Sequence, residues 1–498
     1  MTKRKHVVVT CTSAFGHLIP LLSFGKAVCA QAKASDPSLS TRVTVIASAA
    51  IVPELYSRGI VSASDNDVRV VPLHDGNGIF DSFDTAEFLT SFRNMERCLP
   101  QCIVGLAQDR EWPIDAVVAE VWLVRIGPFI EALLIPFSLF SPVSALVLAA
   151  AIHRTLLATK SPKGDPLAMY AFNTREAAQR VLADLNAVSA LSIVQKTSPL
   201  SIEELREMRD ITRAYQTVDC IYVHTVAEIE PLGMQMLRRL KGMQAVQFKS
   251  VGPLALHENA FGSFKKEDKS GSVVLKQSIS SSPLGAKVLA WLDEQRDRSI
   301  AYISFGSIAT LSHEQMNAFC EGVEDSGYRF VWALHPSQQH ALPSSFRAAY
   351  CISDRDSLPE WRSKRGLVVG WAPQRDLLFH SSISLFLSHC GWNSTLEAMA
   401  AGVPILAWPM FGDQHLDAVL LQSMGCCLVF EGTKLKGGRL VCSEEISRLL
   451  QLMVGSKSLR EAAKAVKGTC WRAIEREGSS WHNLENVFES SKTKVARL

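Results

Sequence analysis

A turn rich in hydrogen-bond donors follows the apolar run at residues 384–389, and its residue types suit the binding of a diphosphate. The run ends at His389, and a glycine turn follows it directly. Asn393 or Ser394 is placed to cap a helix that ends at Gly402. Free backbone N–H groups and the positive end of the helix dipole meet at such a turn. The side chains of His389, Asn393 and Ser394 add further donors. This combination predicts a site for a pyrophosphate group.

Aromatic and acidic residues flank this turn in an order that suits the rest of a sugar nucleotide. Trp371 begins a turn held by Pro373, and its indole is a suitable stacking surface for a flat base. Glu397 lies one turn into the helix, where its carboxylate can accept hydrogen bonds from two ribose hydroxyls. Asp413 and Gln414, after the next apolar run, can do the same for a hexose.

Each of these residues also has a purely structural interpretation. The spacing from Ser394 to Glu397 is that of a capping box, Trp371 and Trp408 can be core residues, and His389 can be a satisfied buried histidine. A glycine turn into a helix is common in α/β proteins, so no single feature specifies a function. The complete set in this order favours the binding site.

A histidine near the N-terminus is placed to act as a base. His17 follows the predicted strand at 6–11, within the stretch Thr12-Ser-Ala-Phe-Gly-His17-Leu-Ile-Pro20, and opens a helix. A histidine there can be neutral at working pH and take a proton from an acceptor hydroxyl. The alternative is that His17 only caps or packs, and the isolated residue favours that alternative.

These residues lie at the ends of strands in a chain that alternates between β-branched runs and helical patterns. The alternation predicts an α/β protein with two doubly wound, Rossmann-like domains. Ligands bind beyond the carboxyl ends of the strands in such sheets, so two domains facing each other would form a cleft for the chemistry. The first series of predicted strands is 6–11, 42–47, 67–72, 115–120 and 220–224, and the second is 299–305, 328–334, 366–369, 384–389 and 404–408.

The stretch from residue 253 to residue 282 is rich in Ser, Gly, Lys and Glu, which is a linker composition. It separates the two series of predicted strands. The predicted organisation is an N-terminal domain at 1–252, a linker at 253–285, a C-terminal domain at 286–470 and a helical segment at 471–498.

Composition excludes several classes of protein. In the 498 residues the hydrophobic fraction is 47%, the charged fraction is 20% and the formal net charge is +3, so neither disorder nor a nucleic-acid partner is expected. The twelve cysteines form no CxxC pair and no zinc-ligand cluster, which predicts reduced thiols and no metal site. The apolar run at 135–152 contains two prolines and is better explained as a buried strand, a turn and a core helix than as a membrane span. A basic N-terminus before an apolar run resembles a signal peptide, but no clean cleavage site follows, so we expect a cytosolic protein.

The segment from Trp371 to Gln414 resembles the signature box of plant family 1 UDP-glycosyltransferases over its full length. Residues 302–307, 366–370 and 251–253 fit the same family, and the resemblance covers nearly the whole chain apart from about 155–215. The matching positions are Trp371-Ala-Pro-Gln374, His380, His389-Cys-Gly-Trp-Asn-Ser394, Glu397, Gly402-Val-Pro404, Trp408-Pro409 and Asp413-Gln414.

The resemblance implies a fold of the GT-B type with a UDP-sugar in the C-terminal domain and an acceptor in the N-terminal domain. The UDP-sugar is then a co-substrate, and Gln414 at the end of the box favours UDP-glucose. The implied donor residues are Trp371 and its neighbour Ala372 for uracil, Gln374 and Glu397 for ribose, Ser307, His389, Asn393 and Ser394 for the phosphates, and Trp392, Asp413 and Gln414 for the sugar.

For the acceptor side, the resemblance makes His17 the general base. The family has an aspartate behind this base at the end of the strand at 115–120, where this chain has Glu120. Glutamate keeps the charge and adds one methylene, so it can reach His17 or tilt it. A solvated strand-end acid is the alternative role. Phe15, Trp122 and Phe140 are candidates to line an apolar acceptor pocket, although core packing explains any one of them.

The implied reaction is a direct, inverting displacement of UDP from the sugar by a hydroxyl of the acceptor. The acceptor is expected to be a small phenolic or terpenoid compound, such as a flavonoid of secondary metabolism, and no metal is expected. We expect a monomer with no integral membrane segment. Three alternatives remain: a sugar-nucleotide-binding protein without transfer, favoured only by Glu120; an oxidoreductase, against which no GxGxxG motif follows any predicted strand; and an enzyme that hydrolyses or rearranges the sugar nucleotide.

Overall fold

The computed structural model describes residues 3–62, 65–79, 85–157, 209–240, 242–257, 283–306, 308–352, 360–361, 363–434, 438–485 and 487–488. The chain divides into two compact units. Of the described residues, the first unit holds 3–157, 209–257 and 469–488, and the second unit holds 283–468.

The first unit is built on a seven-stranded parallel sheet. Its strand order is β3-β2-β1-β4-β5-β6-β7. Valines of the central strands, such as Val9 opposite Val45, are fully buried because helices cover both faces of the sheet. The strands are β1 (Arg4–Thr10), β2 (Ser40–Ser48), β3 (Val68–Leu73), β4 (Ala116–Glu120), β5 (Phe137–Ser141), β6 (Cys220–Val223) and β7 (Gln247–Ser250).

The helix that follows β1 packs against the sheet of the first unit. Its buried residues Leu18, Leu21 and Phe24 pack into the same core cluster as β1 and β2. Gly25 permits this close approach, since a Cβ there would lie 2.8 Å from Cγ1 of Val43. The helices before the second unit are α1 (Phe15–Ser35), α2 (Val52–Ser57), α3 (Thr85–Ala107), α4 (Gly127–Ala132), α5 (Ala145–Leu157) and α6 (Pro231–Arg239).

The second unit repeats the same topology on a six-stranded parallel sheet. Its order is β10-β9-β8-β11-β12-β13, with β8 (Ile300–Ser304), β9 (Arg329–Ala333), β10 (Gly366–Val369), β11 (Ile383–Ser388), β12 (Ile405–Ala407) and β13 (Cys427–Val429). The remaining helices are α7 (Pro283–Asp293), α8 (His313–Asp325), α9 (Pro336–Gln339), α10 (Ser344–Tyr350), α11 (Gln374–Leu378), α12 (Trp392–Ala401), α13 (Gln414–Ser423), α14 (Ser443–Gly455), α15 (Lys457–Ile474) and α16 (Ser479–Glu485).

The predicted fold class is confirmed, since both sheets are parallel and doubly wound. All ten predicted strands are present within one or two residues of their predicted ends, and the run at 135–152 is β5, a turn and part of α5. The sequence patterns missed the two short edge strands β7 and β13. Among the described residues no helix is both long and apolar enough to cross a bilayer.

Both ends of the predicted linker are folded. Residues 254–256 form a buried 3-10 turn in the first unit, and α7 already begins at Pro283. The middle of the predicted linker, 258–282, lies outside the described residues. The C-terminal segment packs into the first unit, where Asn483 Nδ2 donates to the carbonyl oxygen of Ser250 at 2.8 Å.

The strand order reverses between β1 and β4 in the first sheet and between β8 and β11 in the second. At such a reversal the loops leave the carboxyl ends of adjacent strands in opposite directions and open a crevice for ligands. Of the predicted site residues, His17 follows β1, Glu120 ends β4 and His389 follows β11.

Candidate functional site

His17 and Glu120 meet at the strand-order reversal of the first unit. Glu120 is the last residue of β4, and His17 lies in the first turn of α1, directly after β1. Nδ1 of the imidazole is hydrogen-bonded to Oε1 of the carboxylate. The Glu120 side chain is 1% exposed, whereas the His17 side chain is 24% exposed. The longer glutamate therefore reaches the histidine from a buried position and leaves the ring open to solvent.

Thr12 fixes the other oxygen of the same carboxylate. Its backbone N–H and its Oγ1 both donate to Oε2 of Glu120, at 3.2 and 3.1 Å. A carboxylate held on one oxygen and bonded to Nδ1–H through the other keeps Nε2 as the proton-accepting nitrogen of the imidazole. Sequence reasoning did not single out Thr12. Its signal is a hydroxyl residue just past the end of β1, beside the predicted base.

Asp115, a second acid on the predicted strand at 115–120, lies at the opposite edge of the sheet from Glu120. Its Oδ2 accepts the backbone N–H of His6 at 2.8 Å, and its Oδ1 is 3.2 Å from Nζ of Lys5. Asp115 therefore hydrogen-bonds residues at the start of β1 and does not contact His17.

The three predicted acceptor residues have different surroundings. Phe15 is partly buried, with the guanidinium of Arg58 lying 4.2 Å from its ring centre. Trp122 is buried directly after β4, and its ring centre is 5.6 Å from that of Phe92. Phe140 has no exposed surface and packs on Phe24 in the core, as the packing alternative states.

In the second unit, α12 presents an uncapped N-terminus at the strand-order reversal. Its N-cap is Gly391, which has no side chain to bond the first-turn N–H groups. The prediction that Asn393 or Ser394 caps the helix is wrong, because both residues lie within its first turn. The capping-box alternative fails for the same reason. The predicted end at Gly402 is confirmed, with a left-handed φ of 75°. The first N–H groups of an α-helix point beyond its N-terminus, where they can bind an anion.

His389, directly after β11, is held between two glycines. A Cβ would lie 2.9 Å from Nε2 of this ring if added at Gly306 and 2.6 Å if added at Gly391. Burial lowers the pKa of His389 to about 4, so the imidazole is neutral near neutral pH. Its Nδ1 is buried and has no hydrogen-bond partner among the described residues. A neutral imidazole directly before the N-terminus of α12 is suited to a hydrogen bond with a diphosphate oxygen.

Glu397 is the centre of a hydrogen-bond network on the same helix. Its Oε1 accepts from Nδ2 of Asn393 at 3.2 Å, and its Oε2 accepts from Nε2 of Gln374 at 2.7 Å. Gln374 Nε2 also donates to Oγ of Ser394 at 3.0 Å. Burial raises the pKa of Glu397, while the hydrogen bonds from Gln374 and Asn393 and the charge of Arg375 oppose that rise. The network brings together four predicted donor residues.

The remaining predicted donor residues differ in their exposure to solvent. Trp371 is partly exposed after β10, and Ala372 beside it is buried. Asp413 is partly exposed at the start of α13, whereas Trp392 and Gln414 are buried. Ser307 lies outside the described residues.

Gln414 has a local structural role that the sequence did not reveal. Its Oε1 accepts the backbone N–H groups of Met410 and Phe411, at 2.8 and 3.2 Å. The carbonyl end of the side chain thus holds the turn after β12, and the amide nitrogen is the end left for a ligand.

Comparison with known proteins identifies similar chains. A sequence model of the family described as "UDP-glucoronosyl and UDP-glucosyl transferase" matches residues 275–457. UDP-glucosyltransferase 102 of Panax ginseng is 28% identical over 412 residues, which is 78% of this chain and 78% of that protein. Anthocyanidin 3-O-glucosyltransferase 1 of Fragaria ananassa is 31% identical over 278 residues, covering 55% of this chain and 53% of its own.

Solved structures resemble the whole chain. Phytolacca americana UGT2, complexed with UDP-2fluoro-glucose and pterostilbene, has a TM-score of 0.70 and 21% identity, and 98% of this chain and 99% of that chain are covered. A UDP-glucosyltransferase from Polygonum tinctorium capable of glucosylating indoxyl has a TM-score of 0.69 and 22% identity, with coverage of 99% and 100%. At these identities the likeness shows the shared fold.

Proposed function

This chain belongs to the plant family of UDP-glycosyltransferases, and from that premise we propose that it transfers glucose from UDP-glucose to a hydroxyl group of a small phenolic acceptor. The chain is a UDP-dependent glycosyltransferase of the GT-B fold. The choice of glucose, the phenolic acceptor and the inverting stereochemistry are the parts that we propose. The observation that carries the proposal is the hydrogen bond from a partly exposed His17 to a buried Glu120 at the end of β4.

The proposed reaction is a single displacement. Nε2 of His17 takes the proton of the acceptor hydroxyl, and the oxygen forms a bond to the anomeric carbon of the sugar. The bond between that carbon and the β-phosphate oxygen breaks, and UDP leaves with the electron pair. Glu120 stabilises the imidazolium that forms, while Thr12 holds Glu120 in place. Attack from the side opposite UDP inverts the anomeric configuration.

The developing charge on UDP is proposed to be stabilised by the N-terminus of α12. The backbone N–H groups of its first turn and the side chains of His389, Asn393 and Ser394 are donors on one short segment. Donors that are already oriented stabilise a leaving group without reorganisation during the reaction. We propose that these groups suffice without a metal ion, so chelation with EDTA should leave the turnover number unchanged.

Several observations support glucose and a phenolic acceptor. The donor box ends at Gln414, whose amide nitrogen is directed by the anchoring of its carbonyl oxygen. The relatives named above include a glucosyltransferase and an anthocyanidin 3-O-glucosyltransferase. The one feature that favoured a binding protein without transfer was Glu120, and its contact with His17 supports transfer instead.

The test is an acceptor screen with purified protein. UDP-glucose, UDP-galactose and UDP-glucuronic acid are each incubated with a panel of phenols, flavonoids and terpenoid alcohols, and UDP release and product mass are recorded. The proposal expects a monoglucoside with β configuration by NMR. Hydrolysis of UDP-glucose without a conjugate, or preference for another sugar donor, would refute it.

We propose that the enzyme works as a monomer in the cytosol, where its twelve free thiols would stay reduced. Light scattering of the purified protein and imaging of a fluorescent fusion test these two points.

A further inference from the structure

Tyr302 lies behind the donor network without being part of the predicted donor site. It is on β8, its side chain is 1% exposed, and its ring stacks on that of Phe386 with ring centres 4.8 Å apart. Its hydroxyl donates to Oε1 of Gln374 at 3.3 Å. A buried tyrosine hydroxyl needs a partner, and this one interacts both with the side chain of Ser304 and with Gln374, the side chain that contacts Glu397.

The hydrogen bonds of Gln374 fix which way its amide faces. Nε2 of Gln374 donates to Oε2 of Glu397 at 2.7 Å, so the NH₂ group of the amide faces the carboxyl group. The carbonyl oxygen then faces Tyr302, which supplies the donor. The second amide hydrogen is used by Ser394. Both amide hydrogens of Gln374 are thus directed to Glu397 and Ser394, so the orientation of this amide is coupled to two residues of the predicted donor site.

We propose that Tyr302 is a positioning residue for recognition of the donor ribose. It orients Gln374, and Gln374 orients the carboxylate of Glu397 toward the ribose hydroxyls. The proposal rests on the proposed function, because it takes Glu397 as the ribose-binding carboxylate. Asn393 holds the other oxygen of Glu397 at 3.2 Å, so loss of Tyr302 should loosen the carboxylate rather than release it.

The experiment compares two nucleotides on two proteins. Dissociation constants of UDP and of 2′,3′-dideoxy-UDP are measured by calorimetry on the wild-type chain and on Tyr302→Phe. We expect the variant to bind UDP about 2–10-fold more weakly, the range of one hydrogen bond, and to bind dideoxy-UDP as the wild type does. A purely structural role for Tyr302 would weaken both nucleotides equally, and that result would overturn the proposal.

A matched control removes a hydroxyl elsewhere in the same unit. Tyr350→Phe loses the contact between its hydroxyl and Nη2 of Arg365, at 3.2 Å, and should leave both dissociation constants unchanged.

A double-mutant cycle adds a second test that does not depend on the single variant alone. Because the hydroxyl of Tyr302 reaches the donor network through Gln374, the losses of UDP affinity in Tyr302→Phe and Gln374→Met should be less than additive in the variant Y302F/Q374M. Additive losses would contradict the proposed chain of contacts.

A failure of the proposed function would give binding results that differ from a failure of the inference about Tyr302. A wild-type protein that does not bind UDP, or that binds UDP and dideoxy-UDP equally, would refute both the donor site and the inference. A wild-type protein that prefers UDP, with the same preference in Tyr302→Phe, would refute only the inference.

Discussion

The imidazole of His17 is hydrogen-bonded through Nδ1 to the carboxylate of Glu120, although the two residues are 103 positions apart. Strands β1 and β4 are neighbours in the sheet, and Val9 pairs with Val118 two residues before Glu120. The helix that carries His17 begins within five residues of the end of β1. The pair is therefore positioned by the regular part of the fold, and the first two predictions concern it.

Replacing His17 with alanine should remove the proton acceptor without disturbing the nucleotide. We expect kcat/KM for a phenol to fall by about 10²–10⁴, the usual contribution of a general base, while the dissociation constant of UDP is unchanged. Initial rates and calorimetry measure the two quantities. His340→Ala, at an exposed position in the second unit, is the control and should keep full activity. Wild-type rates in His17→Ala would refute the role of the base.

Replacing Glu120 tests the reach of its side chain. Glu120→Gln removes the charge that stabilises the imidazolium and should lower kcat by about 10² or more at unchanged KM for UDP-glucose. Glu120→Asp is shorter by about 1.5 Å, one carbon–carbon bond, so it cannot keep both Thr12 and His17 as partners. We expect it to retain part of the activity lost in the glutamine variant. An aspartate variant as fast as the wild type would show that the Thr12 contact has no effect on turnover.

Replacing Gly391 with alanine should displace His389 from the donor site. The added Cβ would lie 2.6 Å from Nε2 of the ring, which no real contact allows, so the ring must move. We expect UDP to bind about tenfold more weakly, a change of about 1.4 kcal/mol. Gly455→Ala is the matched control, because a Cβ there meets nothing within 4 Å. Equal UDP affinity in the two variants would mean that the position of His389 does not matter for binding.

Acid should destabilise the first unit through two buried histidines. Burial lowers the pKa of His224 to about 3 and that of His257 to about 4, against an ordinary value of 6.5. Below pH 6.5 the unfolded chain therefore binds more protons than the folded chain. Their stabilising contribution is complete above pH 6.5 and is lost as the pH falls toward 4, by at most about 1.4 kcal/mol per pH unit for each histidine.

Urea unfolding at several pH values between 7.5 and 4.5 measures this slope. His257→Gln removes one of the two titrating groups and should make the dependence on pH shallower, whereas His340→Ala should not change it. A free energy of unfolding that stays constant from pH 6.5 to pH 5 would contradict the prediction.

The sequence could predict a candidate site because the residues of that site lie at strand ends. His17, Glu120 and His389 each follow or end a strand whose apolar pattern is visible in the sequence, and parallel pairing then brings such ends to one edge. The sequence predicted two doubly wound sheets, but it did not predict the order of the strands within each sheet. Short edge strands such as β13, with three residues, are too brief for a periodic pattern.

What the sequence could not reveal depends on particular turns and long-range contacts. The helix α12 starts before Asn393 because Cys390 adopts a left-handed φ of 65° and lets Gly391 be the N-cap. Cap preferences alone would choose Asn393 or Ser394. The link from Tyr302 through Gln374 to Glu397 joins three elements, and no local pattern predicts which amide will face which carboxylate.

The docking of α16 has a consequence for how the protein is made. Leu484 and Val487 belong to the same core cluster as Val7 and Leu18, at the other end of the chain. The earlier segments of the first unit therefore leave the ribosome without part of their own core and acquire it only after the second unit has been synthesised. An isolated fragment that ends before the second unit should be prone to aggregation unless a peptide containing α16 and Val487 is supplied.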